Sequence, residues 1–117
     1  MTAYVLLILE APDDRRSRPE ATGQACYDRM MQFTESLQSR GVLRAVESLR
    51  TERSRVERSA GKARLVDGPF AEARELVGGF FLIDVATRQQ AEAIAGECPA
   101  AEWATVELRE TGPCYLA

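Results

Sequence analysis

Tyr4 to Leu9, YVLLIL, is an unbroken apolar run of strand length and predicts a buried strand near the start of the chain. Polar residues follow until Ser17, which stands three residues ahead of Glu20 with Pro19 between them, a capping box with a first-turn proline. Behind it Cys26, Met30, Phe33 and Leu37 recur at helical spacing, one stripe of an amphipathic helix that Gly41 ends. VLRAVESL predicts a second strand. RSRVER and KARLV flank a Ser-Ala-Gly turn signal and predict a hairpin with charged, exposed faces. GGFFLIDV is a strand with large apolar side chains at both parities. Thr87 and Gln90 then open a helix striped by Ala91, Ile94, Ala95 and Cys98 and stopped by Pro99, and ATVELRE alternates as a half-buried last strand.

The order is strand, helix, strand, hairpin, strand, helix, strand. With the hairpin set aside, this predicts an α+β fold, a ferredoxin-like βαββαβ sandwich with an inserted β-hairpin, in one domain over residues 1–117. In that topology the first and third main strands lie at the centre, and those are the two that do not alternate. Two helices cover one face of a sheet only, so the apolar second face predicts a homodimer packed through its sheet faces.

Composition narrows the function classes. Fifteen basic residues against eighteen acidic ones leave a net charge of −3, which gives no electrostatic reason to bind nucleic acid or an anionic membrane. The arginines from Arg50 to Arg58 alternate with Glu52 and Glu57, and Arg15 to Arg18 follow Asp13 and Asp14; both clusters read as solvated, balanced charge. The first apolar run is too short for a membrane span and has no signal-peptide flanks. Together with three scattered cysteines and no disulfide pattern, this predicts a cytoplasmic, reduced protein. The chain has no histidine, which removes imidazole acid–base chemistry, His-based metal sites and Ser-His or Cys-His pairs; no metal and no cofactor are expected. Cys26 and Cys98 lie on helix stripes and read as packing residues, and nothing beside Cys114 in sequence would activate its thiol.

One stretch, DGPFAEARELVGGFF from Asp67 to Phe81, asks for more. Asp67 can accept hydrogen bonds from amides beyond it, Pro69 fixes its own φ, and Phe70 can anchor a corner. The stretch resembles the signature of the YCII-related family, and the resemblance extends to GVLRAVESLR, with Glu47, and to ECPAAEWATVELRE at the C-terminal end. It implies a dimeric α+β barrel of ferredoxin-like subunits and a polar cleft, with no biochemical function established for the family as a whole. Members of the family often carry a histidine after the Pro-Ala-Ala step, thought to pair with the motif's aspartate. The matching position here is Trp103, so the Asp–His pair is incomplete, while Asp67, Glu72, Arg74, Glu75, Glu47 and Arg109 match.

Each candidate has two readings. Asp67 is a general base beside another acid, or a turn-capping acid. Glu72, Arg74 and Glu75 hold a polar ligand at a cleft rim, or tether their own loop through ion pairs. Glu47, if it points inward, needs a cation, and Arg109 is the natural one. Trp103 lines the cleft or fills a core. Two functions follow: a small homodimer that binds an unknown small molecule and moves a proton without a cofactor, or a non-catalytic ligand-sensing or regulatory module whose Asp–His pair is incomplete. Lactone isomerases and dehalogenases share the fold the first reading invokes, and the analogy is one of fold.

Overall fold

A computed structural model describes residues 1–70 and 72–117. It is α+β: β1 (Thr2–Glu10), α1 (Asp14–Ser17), α2 (Glu20–Ser39), β2 (Leu43–Ser48), β3 (Ser54–Ser59), β4 (Lys62–Asp67), β5 (Leu76–Val85), α3 (Arg88–Glu97), a 3-10 turn over Pro99–Glu102, and β6 (Thr105–Glu110). Four strands form an antiparallel sheet in the order β2-β5-β1-β6, and β3 and β4 form a separate two-stranded sheet. The two strands without alternation, β1 and β5, are the central pair, as their sequences require.

Period-two geometry sorts β1 and β5 into two faces. Tyr4, Leu6 and Ile8 of β1 meet Phe81, Ile83 and Val85 of β5 on the buried face, where α2 adds Phe33 and Leu37 and α3 adds Ala91 and Ile94. Phe33 packs edge-on against Phe81 with ring centroids 5.2 Å apart. Burying a Leu6 or Ile83 side chain contributes about 2 kcal/mol each, so this layer supplies the main cohesion of the fold.

On the other face the register sets Glu47, Phe80, Leu7 and Glu107 side by side across the sheet, with Ala45, Leu82, Val5 and Arg109 in the adjoining row. Phe80, Leu82, Val5 and Leu7 are only half-buried there. Among the described residues no element lies on this face in substantial contact with it.

The capping signals divide. Thr87 and Gln90 form the reciprocal box at α3, with Gln90 N–H donating to Thr87 Oγ1 at 3.2 Å and Gln90 Oε1 accepting from Thr87 N–H at 3.2 Å. The Ser17–Glu20 box does not form. Arg18, which precedes a proline, is extended (ψ 133°), and this separates α1 from α2. Ser17 thus closes α1, its hydroxyl donating to the Asp13 carbonyl at 3.0 Å, and Pro19 takes the start of α2 with no side-chain cap. Gly41 stops α2 as expected, at φ +72°.

Candidate functional site

The first residue to build from is Glu10. It continues the inward parity of Leu6 and Ile8, so strand geometry carries a carboxylate to the buried side, where it is 6% exposed. The short helix α1 follows immediately and folds Arg15 back over the strand end. Its Nε lies 2.8 Å from Glu10 Oε1. One Nη donates to the Gly78 carbonyl at 2.9 Å and the other to the Leu49 carbonyl, so a single guanidinium ties the ends of β1, β2 and β5 together. Such a fork suits arginine and no other cation. The Nε–H is not aligned on the carboxylate, and among the described residues Glu10 Oε1 accepts no hydrogen bond.

The paired glycines of β5 make room for this arrangement. A Cβ on Gly78 would stand 2.6 Å from Glu10 Oε1 and 2.9 Å from an Arg15 nitrogen; one on Gly79 would stand 2.8 Å from the Glu47 carbonyl oxygen. Here β5 bulges against β1, with the pairing shifting between Ile8 and Leu9.

Glu10 and Arg15 face a cleft of about 860 Å³ between the first half of α2 and the ends of β1, β2 and β5. Its walls include Arg18, Gln24, Tyr27, Met30, Glu47 and Trp103. A second cleft of about 430 Å³ shares Glu10 and Trp103 with the first and adds Asp14, Arg74, Glu75, Glu102 and Thr105. Arg29 lies over the Trp103 ring, 5.5 Å from its centroid, and pairs with Glu102. The hydrogen bond from Arg29 holds the Glu102 carboxyl below the usual carboxylate range.

The sequence candidates distribute unevenly over this geometry. Trp103 lines both clefts and Arg74 and Glu75 the smaller one; Glu47 borders the larger cleft at the end of β2, while strand parity sets its side chain on the open face of the sheet. Asp67, Glu72 and Arg109 line neither. Asp67 is exposed at the end of β4 and accepts a hydrogen bond from the Ser54 hydroxyl. Beside it Gly68 N–H donates to the Arg53 carbonyl at 2.8 Å, and the Gly68–Pro69 peptide is cis. Arg55 stacks 3.8 Å from the Phe70 ring centroid and pairs with Glu72 at 3.2 Å. The corner thus closes on its own hairpin.

Glu47 and Arg109 do not pair within the chain. They lie on the two edge strands of the sheet, three strand spacings or roughly 14 Å apart across it and one row out of line along it.

Arg15 also corrects the expectation of solvated charge at residues 15–18, since it is half-buried and holds three partners. The signal was a carboxylate in phase with Leu6 and Ile8, which needs a cation close by. Cys98 is buried, and burial pushes its thiol up, away from reactivity. Cys26 is half-buried and borders the larger cleft. Among the described residues no three Cys, Asp or Glu side chains gather as a metal ion would need, and no helix is long and apolar enough to cross a membrane.

Compared with known families, the sequence model of the YCII-related domain matches residues 2–113. A search of curated proteins returns no match.

Proposed function

The chain belongs to the YCII-related family, and from that premise we propose that it is a cytoplasmic homodimer that binds a small polar molecule in the Glu10–Arg15 cleft and moves a proton there. One observation carries this reading: Glu10 is a buried carboxylate at the wall of a cleft large enough for a small molecule, with Arg15 Nε 2.8 Å from its Oε1 and, among the described residues, no aligned hydrogen bond to that oxygen. An unsatisfied buried acceptor is expensive in an empty core and useful beside a ligand, where it accepts an N–H or O–H or takes a proton. Tyr27, Met30 and Trp103 give the ligand's apolar part a surface, and Arg18 offers a cation at the same wall. The lack of histidine supports chemistry carried by carboxylates. Asp67 enters this reading only as a second candidate base, since its place on the hairpin keeps it out of both clefts.

The ferredoxin-like arrangement supports the dimer. The strand order fits it, and the open face carries an apolar centre of Val5, Leu7, Phe80 and Leu82 with charged residues at its edges. Two copies packed face to face bury that centre, and Glu47 of one then has Arg109 of the other within its reach by two-fold symmetry. Leu7→Arg places a charge in this centre and gives a monomer by light scattering.

A regulatory, non-catalytic module is the second reading. It is favoured by the engagement of Asp67 with Ser54 and by Trp103 in the place of the histidine. A thermal-shift screen of small amides, ketones and lactones decides between positions. Compounds that stabilise the wild type but not Glu10→Gln support the cleft. Compounds whose effect is lost in Asp67→Asn alone move the site to the corner. For a bound ketone, deuterium uptake at its α-carbon distinguishes a proton-transfer enzyme from a sensor.

A further inference from the structure

Among the described residues, the β3–β4 hairpin makes no substantial contact with any helix or with the main sheet. Every residue of β3 is exposed, and of β4 only Val66 is partly covered. The ribbon is nevertheless held in shape at its root by the Asp67–Ser54, Gly68–Arg53 and Phe70–Arg55 contacts. It therefore projects from the body as a defined arm. The radius of gyration, 16.2 Å, reflects this, against about 13 Å for a globular chain of such length.

A two-stranded ribbon alone is marginal in water and gains order from a surface to lie on. This one carries the means to find such a surface. Val56 and Leu65 are directly opposed in the register, so they share a face, and they are 69% and 65% exposed. Charge separates the arm from the rest of the molecule. Residues 54–67 hold four basic side chains and two acidic ones, a net +2, so the remaining 103 residues carry −5 of the overall −3. A basic ribbon with an apolar pair matches an acidic body, and it makes no substantial contact with its own among the described residues.

We infer that the β3–β4 hairpin is an arm that clasps a second copy of this chain, laying Val56 and Leu65 on the acidic body of that copy. Under two-fold symmetry the clasp is reciprocal, each arm reaching the other protomer. It is a contact separate from the pairing of sheet faces proposed above, and the two are tested apart.

The test is sedimentation equilibrium on the full chain and on an arm-shortened variant in which Asn-Gly replaces residues 56–65, joining Arg55 to its register partner Val66 and keeping the root. Circular dichroism confirms that each protein is folded. The self-association Kd of the shortened variant rises at least ~30-fold, since an apolar and charged contact patch has gone. The triple variant Arg58→Glu, Lys62→Glu, Arg64→Glu weakens association ~10-fold at low salt and converges on the wild type at high salt, where screening removes the attraction. Hydrogen exchange adds a direct readout: amides of residues 54–67 are protected above the wild-type Kd and exchange freely on dilution below it. A wild type that is monomeric throughout, a shortened variant with a Kd within twofold of wild type, or hairpin exchange that ignores concentration overturns the inference. If Leu7→Arg abolishes association while arm shortening does not, the sheet pairing stands and the arm fails. The opposite pattern keeps the arm and removes the sheet pairing.

Discussion

Asp67 and Glu10 are both carboxylates at the end of a strand, each held by a neighbouring side chain, and their settings differ in every other respect. Asp67 ends an exposed ribbon strand, accepts a hydrogen bond from Ser54, and has beside it a corner whose side-chain contacts, among the described residues, reach back to Arg53 and Arg55 of the same hairpin. Glu10 ends a central strand of the sheet, is buried, and lines an open cleft, with Arg15 as its ion-pair partner and no aligned hydrogen bond to its Oε1 among the described residues. Burial is what makes a polar group consequential. Water screens the first carboxylate and makes its loss cheap, whereas the second depends on Arg15 or on a ligand for compensation. The one recognisable stretch, residues 67–81, serves both regions. Its first half folds the arm's root, and its glycines shape the cleft wall.

The comparison breaks most sharply at those glycines. Gly79→Ala sets a Cβ 2.8 Å from a backbone oxygen of β2, and since backbone must move, a loss of about 2–4 kcal/mol is expected in urea unfolding. Gly68→Ala in the corner meets its three nearest atoms at 3.2 to 3.3 Å, two of them on the Phe70 ring and the third the Arg53 carbonyl oxygen, and should lose no more than about 1 kcal/mol. Equal losses would mean that corner and cleft are equally rigid, which would erase the distinction drawn between them.

Arg15→Ala tests the cleft's charge. It strips the buried Glu10 of its counter-ion and three strand ends of their tie, and about 3 kcal/mol should be lost at neutral pH. Arg55→Ala, the corresponding change at the corner, removes a stacked and exposed arginine and should lose under about 1 kcal/mol. Glu10→Gln is milder than Arg15→Ala. Arg15 keeps its two carbonyl acceptors and its partial exposure, so stability falls by about 1 kcal/mol or less while ligand-induced stabilisation disappears.

Much of the fold was legible because its signals are local. Apolar residues at both parities placed β1 and β5 at the centre, and the stripe through Phe33 and Leu37 named the helix face that packs on them. The site was less legible because it is assembled by register. Parity tells which face Glu47 and Arg109 share, but only strand order reveals that the sheet's width separates them. Arg15 was hidden for a related reason. In sequence it sits among aspartates that could balance it, and only the turn after Glu10 shows which carboxylate it reaches. The Ser17–Glu20 box failed through a competing local rule, the extended conformation imposed on Arg18 by the proline after it.

A pH measurement sharpens the contrast with little effect on stability. Arg29 lowers the pKa of Glu102, so whatever this pair contributes is present above the unfolded carboxyl's pKa and is lost as pH falls through the lower folded value. Both side chains are largely exposed, so the readout is the titration itself. In Arg29→Ala the Glu102 resonance should titrate at a higher pH than in the wild type. An unchanged midpoint would show that the Trp103 end of the clefts lacks this pairing.

The smallest expected effect isolates the arm. Ala60 and Gly61 turn the hairpin with φ of +50° and +77°, the two left-handed residues of a tight primed turn, and alanine is poorly suited to the first of them. Asparagine tolerates that conformation, so Ala60→Asn should favour the closed ribbon by about 0.5–1 kcal/mol, a ~2–5-fold slowing of amide exchange across residues 54–67. Because the ribbon barely touches the body of its own chain, dilute monomer should show this slowing with no change in Tm. In associated protein the same substitution should raise Tm, since an arm already ordered loses less entropy when it docks. A Tm gain in the monomer equal to that in the associated protein would mean that the ribbon and the body unfold as one unit, and the two regions would have to be treated as one.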